Sequence, residues 1–175
     1  MSRYSIESHI WADKKDVVDA LVSYLYNEFY IVDLFKGAKK LEELQKASYE
    51  EELELYTVSN LKDGLVMLCC DYDGFHDEKI LSISEKLSCD AIYGHNNDGV
   101  DNWRWITFTK GITLDGYWYL GLEGQEWVCF PEKYRPLSLH LYEAFDKYSV
   151  GYNHASLSDT IRIDSETFII CAKEI

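Results

Sequence analysis

The chain predicts an α+β fold: one domain, residues 1–175, with a mostly antiparallel sheet packed by about three to four helices. Three observations carry this expectation. Residues 90–130 hold three β-rich runs separated by close turns, and four of the five tryptophans. Two further segments show the 3.6-residue apolar period of amphipathic helices, and no Ser/Gly/Pro-rich linker divides the chain. With 47% apolar and 15% aromatic residues, 175 residues are enough for one sizeable core.

Taken in order, residues 2–11 alternate, with Tyr4, Ile6, Ser8 and Ile10 on one side, which is the period of a half-buried strand. Asp13 is placed to cap a helix over 14–30, where Val17, Leu21, Leu25 and Phe29 recur every four residues. Ile31 to Phe35 reads either as a short strand or as a continuation into a second helix. Residues 38–47 (AKKLEELQKA) are strong helix formers with a narrow Leu41/Leu44 seam, so an exposed helix is expected. The following YEEELELYTVS reads as an edge strand whose acidic side discourages pairing with other chains.

Residues 65–70 (LVMLCC) form a continuous apolar run, as in a central strand covered on both faces. Ile80, Ile83, Ser84 and Leu87 place a helix over 77–87. The aromatic meander then runs 91–95, 102–109, 112–120 and 126–130, turning at 96–101, at Lys110-Gly111 and at 121–125, and is expected at the centre of the sheet. A further helix is expected over 137–148, and a closing C-terminal hairpin from 156–163 and 166–172.

Charge bounds the partner class. The formal net charge is −14, so a phosphate backbone would be repelled and a basic protein surface attracted. No direct nucleic-acid contact is expected. The N-terminus lacks a signal-peptide core, and no apolar run approaches the ~18 residues that span a bilayer; a cytoplasmic protein without membrane contact is the expectation. Five cysteines without a C-x-x-C pair, lying in apolar runs, read as buried thiols. No cofactor or metal is expected. His76, His95, Asp98 and Asp101 match no ligand spacing, and His140 and His154 read as ordinary surface or capping histidines.

One local motif has the pattern of an enzyme. The apolar strand delivering Asp71-Tyr72-Asp73-Gly74 resembles the nucleophile motif of haloacid dehalogenase-like hydrolases. The resemblance would make Asp71 the nucleophile and Asp73 the acid/base, with Mg²⁺ held by both. Phe75 stands where the family has a small hydroxylic residue, and the strands that follow are not the repeated βα units the family requires.

The binding features are more extensive. Glu42, Glu43, Glu50, Glu51, Glu52 and Glu54 form the densest negative patch, against one lysine between them. Tyr117-Trp118-Tyr119 puts aromatic rings on both faces of one strand, and Asp98 and Asp101 sit in the preceding polar loop. Large exposed rings commonly mark protein contacts. This acidic stretch, the run ISEKLSCDAIYG, and the W-x-W and Y-W-Y strands together resemble the immunity proteins of bacterial polymorphic and contact-dependent growth-inhibition toxins. The resemblance is one of type. It implies a non-enzymatic inhibitor that binds a basic cognate toxin domain, such as a nuclease, and blocks its active site or substrate access. The alternatives are an acidic DNA mimic of the anti-restriction kind and the small Mg²⁺-dependent phosphohydrolase built on Asp71 and Asp73. An exposed strand edge would also serve a homodimer.

Overall fold

The computed structural model describes residues 4–60, 65–70, 76–97, 102–120, 126–128 and 164–175. Nine strands and three helices are described: β1 (Tyr4–Ile10), α1 (Lys14–Asn27), β2 (Tyr30–Lys36), α2 (Ala38–Glu51), β3 (Glu54–Asn60), β4 (Val66–Cys70), α3 (Asp77–Leu87), β5 (Asp90–Asn97), β6 (Asn102–Thr109), β7 (Ile112–Leu120), β8 (Glu126–Val128) and β9 (Phe168–Glu174). The strands form one antiparallel sheet in the order β2-β9-β3-β4-β1-β5-β6-β7-β8. The fold is α+β.

The N-terminal strand β1, not the aromatic meander, lies at the middle of this sheet. The meander β5-β6-β7-β8 builds one wing and ends at the β8 edge. Its β6–β7 turn uses Lys110 (φ 48°) and Gly111 (φ 78°), the two positive dihedrals of a type I′ hairpin. A Cβ on Gly111 would come within 2.6 Å of the Glu85 side chain on α3, so the turn needs glycine for space as well as for φ.

Helices α1 and α3 pack on the same sheet face. Asp13 caps α1, its Oδ1 accepting from the Lys15 N–H at 2.8 Å, and Val17, Leu21 and Leu25 are fully buried. On α3, Ile80 and Ile83 are buried, with Asp77 and Glu78 in the first turn and Lys86 in the last, in keeping with the helix dipole. These residues meet Ile10, Val58, Leu68, Tyr93, Ile106 and Ile170 from the sheet in one core. Each fully buried aliphatic side chain contributes roughly 1.5–3 kcal/mol. A second, smaller cluster lies on the other face, where Leu41 and Leu44 of α2 meet Leu53, Leu55, Ile169 and Cys171.

Several sequence expectations are corrected. Helix α1 stops at Asn27, and Phe29 takes a left-handed φ of 64° with its ring 74% exposed, because the chain must reverse there to enter β2. The segment after it is a strand. Helix α2 runs on to Glu51, so Glu50 and Glu51 are helical and Glu52 is the left-handed cap. Strand β3 is not an edge: it lies between β9 and β4, and Glu54 to Ser59 are all buried. Strand β9 does not close a hairpin, because β2 and β3 occupy its two sides. Residues 156–163 and the helix expected over 137–148 lie outside the described residues.

Two buried polar groups stand out at the sheet centre. Ser8 of β1 is fully buried between Leu68 and Tyr93, and its Oγ is the one buried side-chain oxygen or nitrogen without a hydrogen-bond partner among the described residues. His9 points to the opposite face, in register with Met67 and Ile92, and burial pulls its imidazole down to about 4. The unpaired hydroxyl costs stability without offsetting bonds. Ser8→Ala is therefore expected to raise the unfolding free energy by about 1 kcal/mol, seen as a higher urea midpoint; a lower midpoint would show that the hydroxyl has a partner.

The His9 shift sets a second expectation. Unfolded, the imidazole takes up a proton as pH falls below 6.5, while folded it stays neutral until about 4. Stability contributed by this residue is full above pH 6.5 and is lost as pH falls toward 4, by up to about 3 kcal/mol. Urea unfolding of His9→Leu at pH 7 and pH 4.5 should show a shallower pH dependence than the parent; an identical slope would remove His9 as the cause.

Candidate functional site

The most concentrated set of reactive side chains lies inside the main core, where α3 meets β3 and β4. Glu54 enters from the start of β3, Tyr30 from β2, Tyr56 from β3, Cys70 from the end of β4, Tyr93 from β5, and His76 and Lys79 from the N-terminal end of α3. The period of two in β3 puts Glu54, Tyr56 and Val58 on the α1/α3 side, so the carboxylate cannot avoid burial. His76 and Lys79, three apart on the first helical turn, share a side.

Glu54 is held by two hydroxyl donors and an ion pair. Its Oε1 accepts from the Tyr30 hydroxyl at 2.9 Å, and its Oε2 accepts from the Tyr56 hydroxyl and lies 3.7 Å from Lys79 Nζ. Lys79 also approaches His76 Nδ1 at 2.9 Å, and His76 Nε2 lies 3.5 Å from Cys70 Sγ. The backbone N–H of His76 donates to the Tyr93 hydroxyl at 3.2 Å, and the Tyr56 ring meets the His76 ring edge-on at 6.0 Å.

The chemistry of these contacts is directional. An ammonium can only donate, so His76 Nδ1 accepts from Lys79 and the ring proton resides on Nε2, toward Cys70. The imidazole thus donates to the sulfur rather than taking its proton, the reverse of what a cysteine nucleophile requires from its base. Burial, followed by the charges of Cys70 and Glu54, pushes the Tyr56 phenol far above its ordinary value and keeps it a donor. Glu54 (7% exposed), Tyr56 (0%), Cys70 (5%) and His76 (5%) are closed to solvent. As arranged, the cluster is a satisfied polar network that ties α3 to β2, β3, β4 and β5.

The remaining thiols give no competing site. Burial raises the thiols of Cys89 and Cys171 above their ordinary values, which lowers their thiolate fraction. The four described cysteines are not in disulfide bonds, and Cys129 lies outside the described residues. Among the described residues no group of three or more His, Cys, Asp or Glu is arranged to hold a metal ion, and no helix is long and apolar enough to cross a membrane.

The binding residues expected from the sequence fall in three places. Glu42 and Glu43 are exposed on α2, Glu50 lies in its last turn, and Glu51 and Glu52 are exposed at its end. Glu54 is separated from them by burial: it points into the core and belongs to the network above, not to an acidic face. Tyr117, Trp118 and Tyr119 lie on β7, opposite Trp105, Arg104 and Trp103 of β6. Five inter-strand steps separate β3 from β7, roughly 24 Å, so the acidic helix end and the strand of Tyr117–Tyr119 lie far apart along the sheet. Asp71, Asp73, Asp98, Asp101, His140 and His154 lie outside the described residues, and His95 is in β5.

Sequence reasoning missed the Glu54–Lys79–His76–Cys70 network. The signal was present in ELYTV: Tyr56 and Val58 share a side with Glu54, so both sides of the strand carry apolar residues and the glutamate had to be internal.

Removing one member of a buried ion pair leaves the other uncompensated, at a cost of about 3–5 kcal/mol. Here two tyrosine hydroxyls still serve Glu54, so Lys79→Met should cost about 2–3 kcal/mol in urea unfolding. Combining it with Glu54→Gln should cost clearly less than the two single changes summed. Strict additivity would show that the two groups are not coupled.

Comparison of the chain with protein-family models, with curated proteins and with solved structures found no match.

Proposed function

We propose that this chain is a non-catalytic, cytoplasmic inhibitor of the toxin-neutralising immunity type, which binds a basic protein domain through the acidic end of α2. The observation that carries the reading is the charge order along α2. Lys39 and Lys40 occupy its first turn, whereas Glu50, Glu51 and the cap Glu52 occupy its end, with no acidic residue in the first turn and no basic one in the last. This order opposes the helix dipole, whose C-terminal end already carries partial negative charge. Each exposed glutamate placed there costs roughly 0.3–1 kcal/mol. Glu52 adds the strain of a left-handed non-glycine residue, φ 55°.

A basic surface laid against this end would relieve the repulsion that the free protein carries. The same negative field would speed encounter with such a partner and repel nucleic acid. Blocking a nuclease requires only that the complex cover the basic groove through which substrate enters, so the inhibitor needs no reactive group of its own. The closed Cys70–His76 network is in keeping with this: it has a structural use and no access.

The test is co-purification with the product of the adjacent gene, followed by a protection assay in cells expressing that product. Glu51→Lys with Glu52→Lys should lower the association rate at low salt by about tenfold, with the difference shrinking as salt rises. A parent protein that neither binds nor protects ends the reading. Binding with an unchanged rate in the double variant would move the interface off α2, to the Tyr117–Tyr119 strand.

A further inference from the structure

Among the described residues β2 is the last strand on its side of the sheet. The hydrogen bonds Gly37 N–H to Thr167 O (3.0 Å) and Ile175 N–H to Phe29 O (3.1 Å) lie in register with the β2–β9 ladder. They show that the odd-numbered residues of β2 bond to β9. In an antiparallel ladder the alternate residues then face away. Val32, Leu34 and Lys36 direct their N–H and C=O groups outward, and no described strand receives them. Of the usual protections of an edge, β2 has two charged residues, Asp33 and Lys36, but no proline and no bulge against β9, and it runs for seven residues.

A second observation coincides with the first. Large exposed apolar side chains gather at this edge: Tyr26 (58%), Phe29 (74%), Ile31 (58%), Leu34 (49%) and Ile175 (82%). They flank the open backbone on both sides, since Leu34 and Ile31 lie on opposite faces of β2.

We infer that the β2 edge pairs with the β2 edge of a second copy of this chain, joining the two sheets through an antiparallel β2–β2′ ladder about a two-fold axis at Leu34. The local charge of the edge fits a second copy better than a basic partner, although the net charge of each copy opposes the pairing at low salt. The chain carries −14 overall, yet β2 carries one Asp and one Lys, so its edge offers a cation no net attraction. The register is selected in the same way. With the axis at Asp33, two carboxylates would stand opposite each other. With the axis at Leu34, Asp33 stands opposite Phe35 of the other copy, Val32 opposite Lys36, and Leu34 opposite itself. The Lys40 ammonium lies 4.9 Å from the centre of the Phe35 ring, so this register also brings a cation to each Asp33. Phe29, held outward by its left-handed backbone, and Ile175 beside it extend the apolar contact. The inference stands independently of the α2 reading.

Sedimentation velocity of the full chain over a concentration and salt series tests it. Dimerisation should strengthen with salt, because screening weakens the repulsion between two copies of charge −14; binding of a basic partner through α2 would weaken. Leu34→Pro removes one outward N–H and leaves every bond to β9 in place, and Leu34→Lys sets two ammoniums against each other at the axis. Both should weaken the dimer at least tenfold, and Leu34→Lys, which leaves the backbone untouched, decides the matter should the proline variant unfold. A parent chain that stays monomeric up to about 1 mM, or a dimer that Leu34→Lys leaves intact, overturns the inference. So does a monomer that loses binding to a different protein on Leu34→Pro, since the edge then takes a foreign strand.

Discussion

The architecture depends on where the last strand goes. Strands β2 and β3 run parallel to each other, joined by α2, and the space between them is one strand wide. Phe168–Glu174 fills it, pairing with β2 along seven residues and with β3 along five. Without it, neither parallel neighbour has a partner on that side, Leu55 loses Ile169 and Cys171 from its cluster, and Tyr56 loses Ile170 from the main core. Ile169, Ile170 and Ala172 are completely buried, so the strand also supplies core to both faces. The closure joins residues more than a hundred positions apart, and such pairing bears its loop-closure entropy before any contact offsets it. This places the β2-β9-β3 wing late in folding, after the local meander hairpins and the α3–β5 unit.

That dependence also explains what was legible in the sequence. Features carried by neighbouring residues were readable: α3 spans 77–87 as its apolar period requires, Asp13 caps α1, and the β6–β7 hairpin turns at Lys110-Gly111. Strand order was not, because periodicity says which side of a strand is apolar but not which strand lies beside it. The aromatic meander looked central for its tryptophans, yet β1 holds the middle. Strand β3 looked like an acidic edge because Glu50 to Glu54 were counted together. In the fold Glu51 ends a helix, Glu52 is its left-handed cap and Glu54 points inward. Two residues of chain separate a solvent-facing carboxylate from a buried one. Phe29 misled for a similar reason: its spacing from Leu25 fits a helix, but the reversal into β2 needs a left-handed residue, and the ring is turned outward.

The buried network gains its meaning from the same geometry. Its members come from β2, β3, β4, β5 and α3, and contacts between elements (Tyr30 and Lys79 to Glu54, His76 to Cys70 and Tyr93) join those within β3 and α3. Replacing such a set with apolar side chains would often be neutral or stabilising for the folded state as a whole. What apolar side chains cannot supply is direction. Glu54 accepts only where Tyr30, Tyr56 and Lys79 stand together, and Lys79 reaches the carboxylate only if α3 lies at one height along the sheet. Slippage of α3 by one turn would still bury Ile80 and Ile83 but would strand a carboxylate, an ammonium and an imidazole. The network therefore acts on register, with stability as the lesser effect.

The two surfaces at this wing differ in the physics that would engage them. The end of α2 is an electrostatic surface, whose attraction for a cation reaches about one Debye length and is weakened by salt. The edge of β2 is a short-range surface of backbone groups and apolar side chains, where salt relieves repulsion between like-charged copies. Both depend on the β2-β9-β3 wing, since α2 is seated on β3 and β2 through Leu41, Leu44 and Phe35. A change in the smaller core, such as at Ile169 or Leu55, would disturb both surfaces together while leaving the meander wing in place. Loss of partner binding after such a change would therefore not locate the interface. Only substitutions confined to solvent-facing atoms, at Glu51 and Glu52 on one side and at Leu34 on the other, separate the two surfaces.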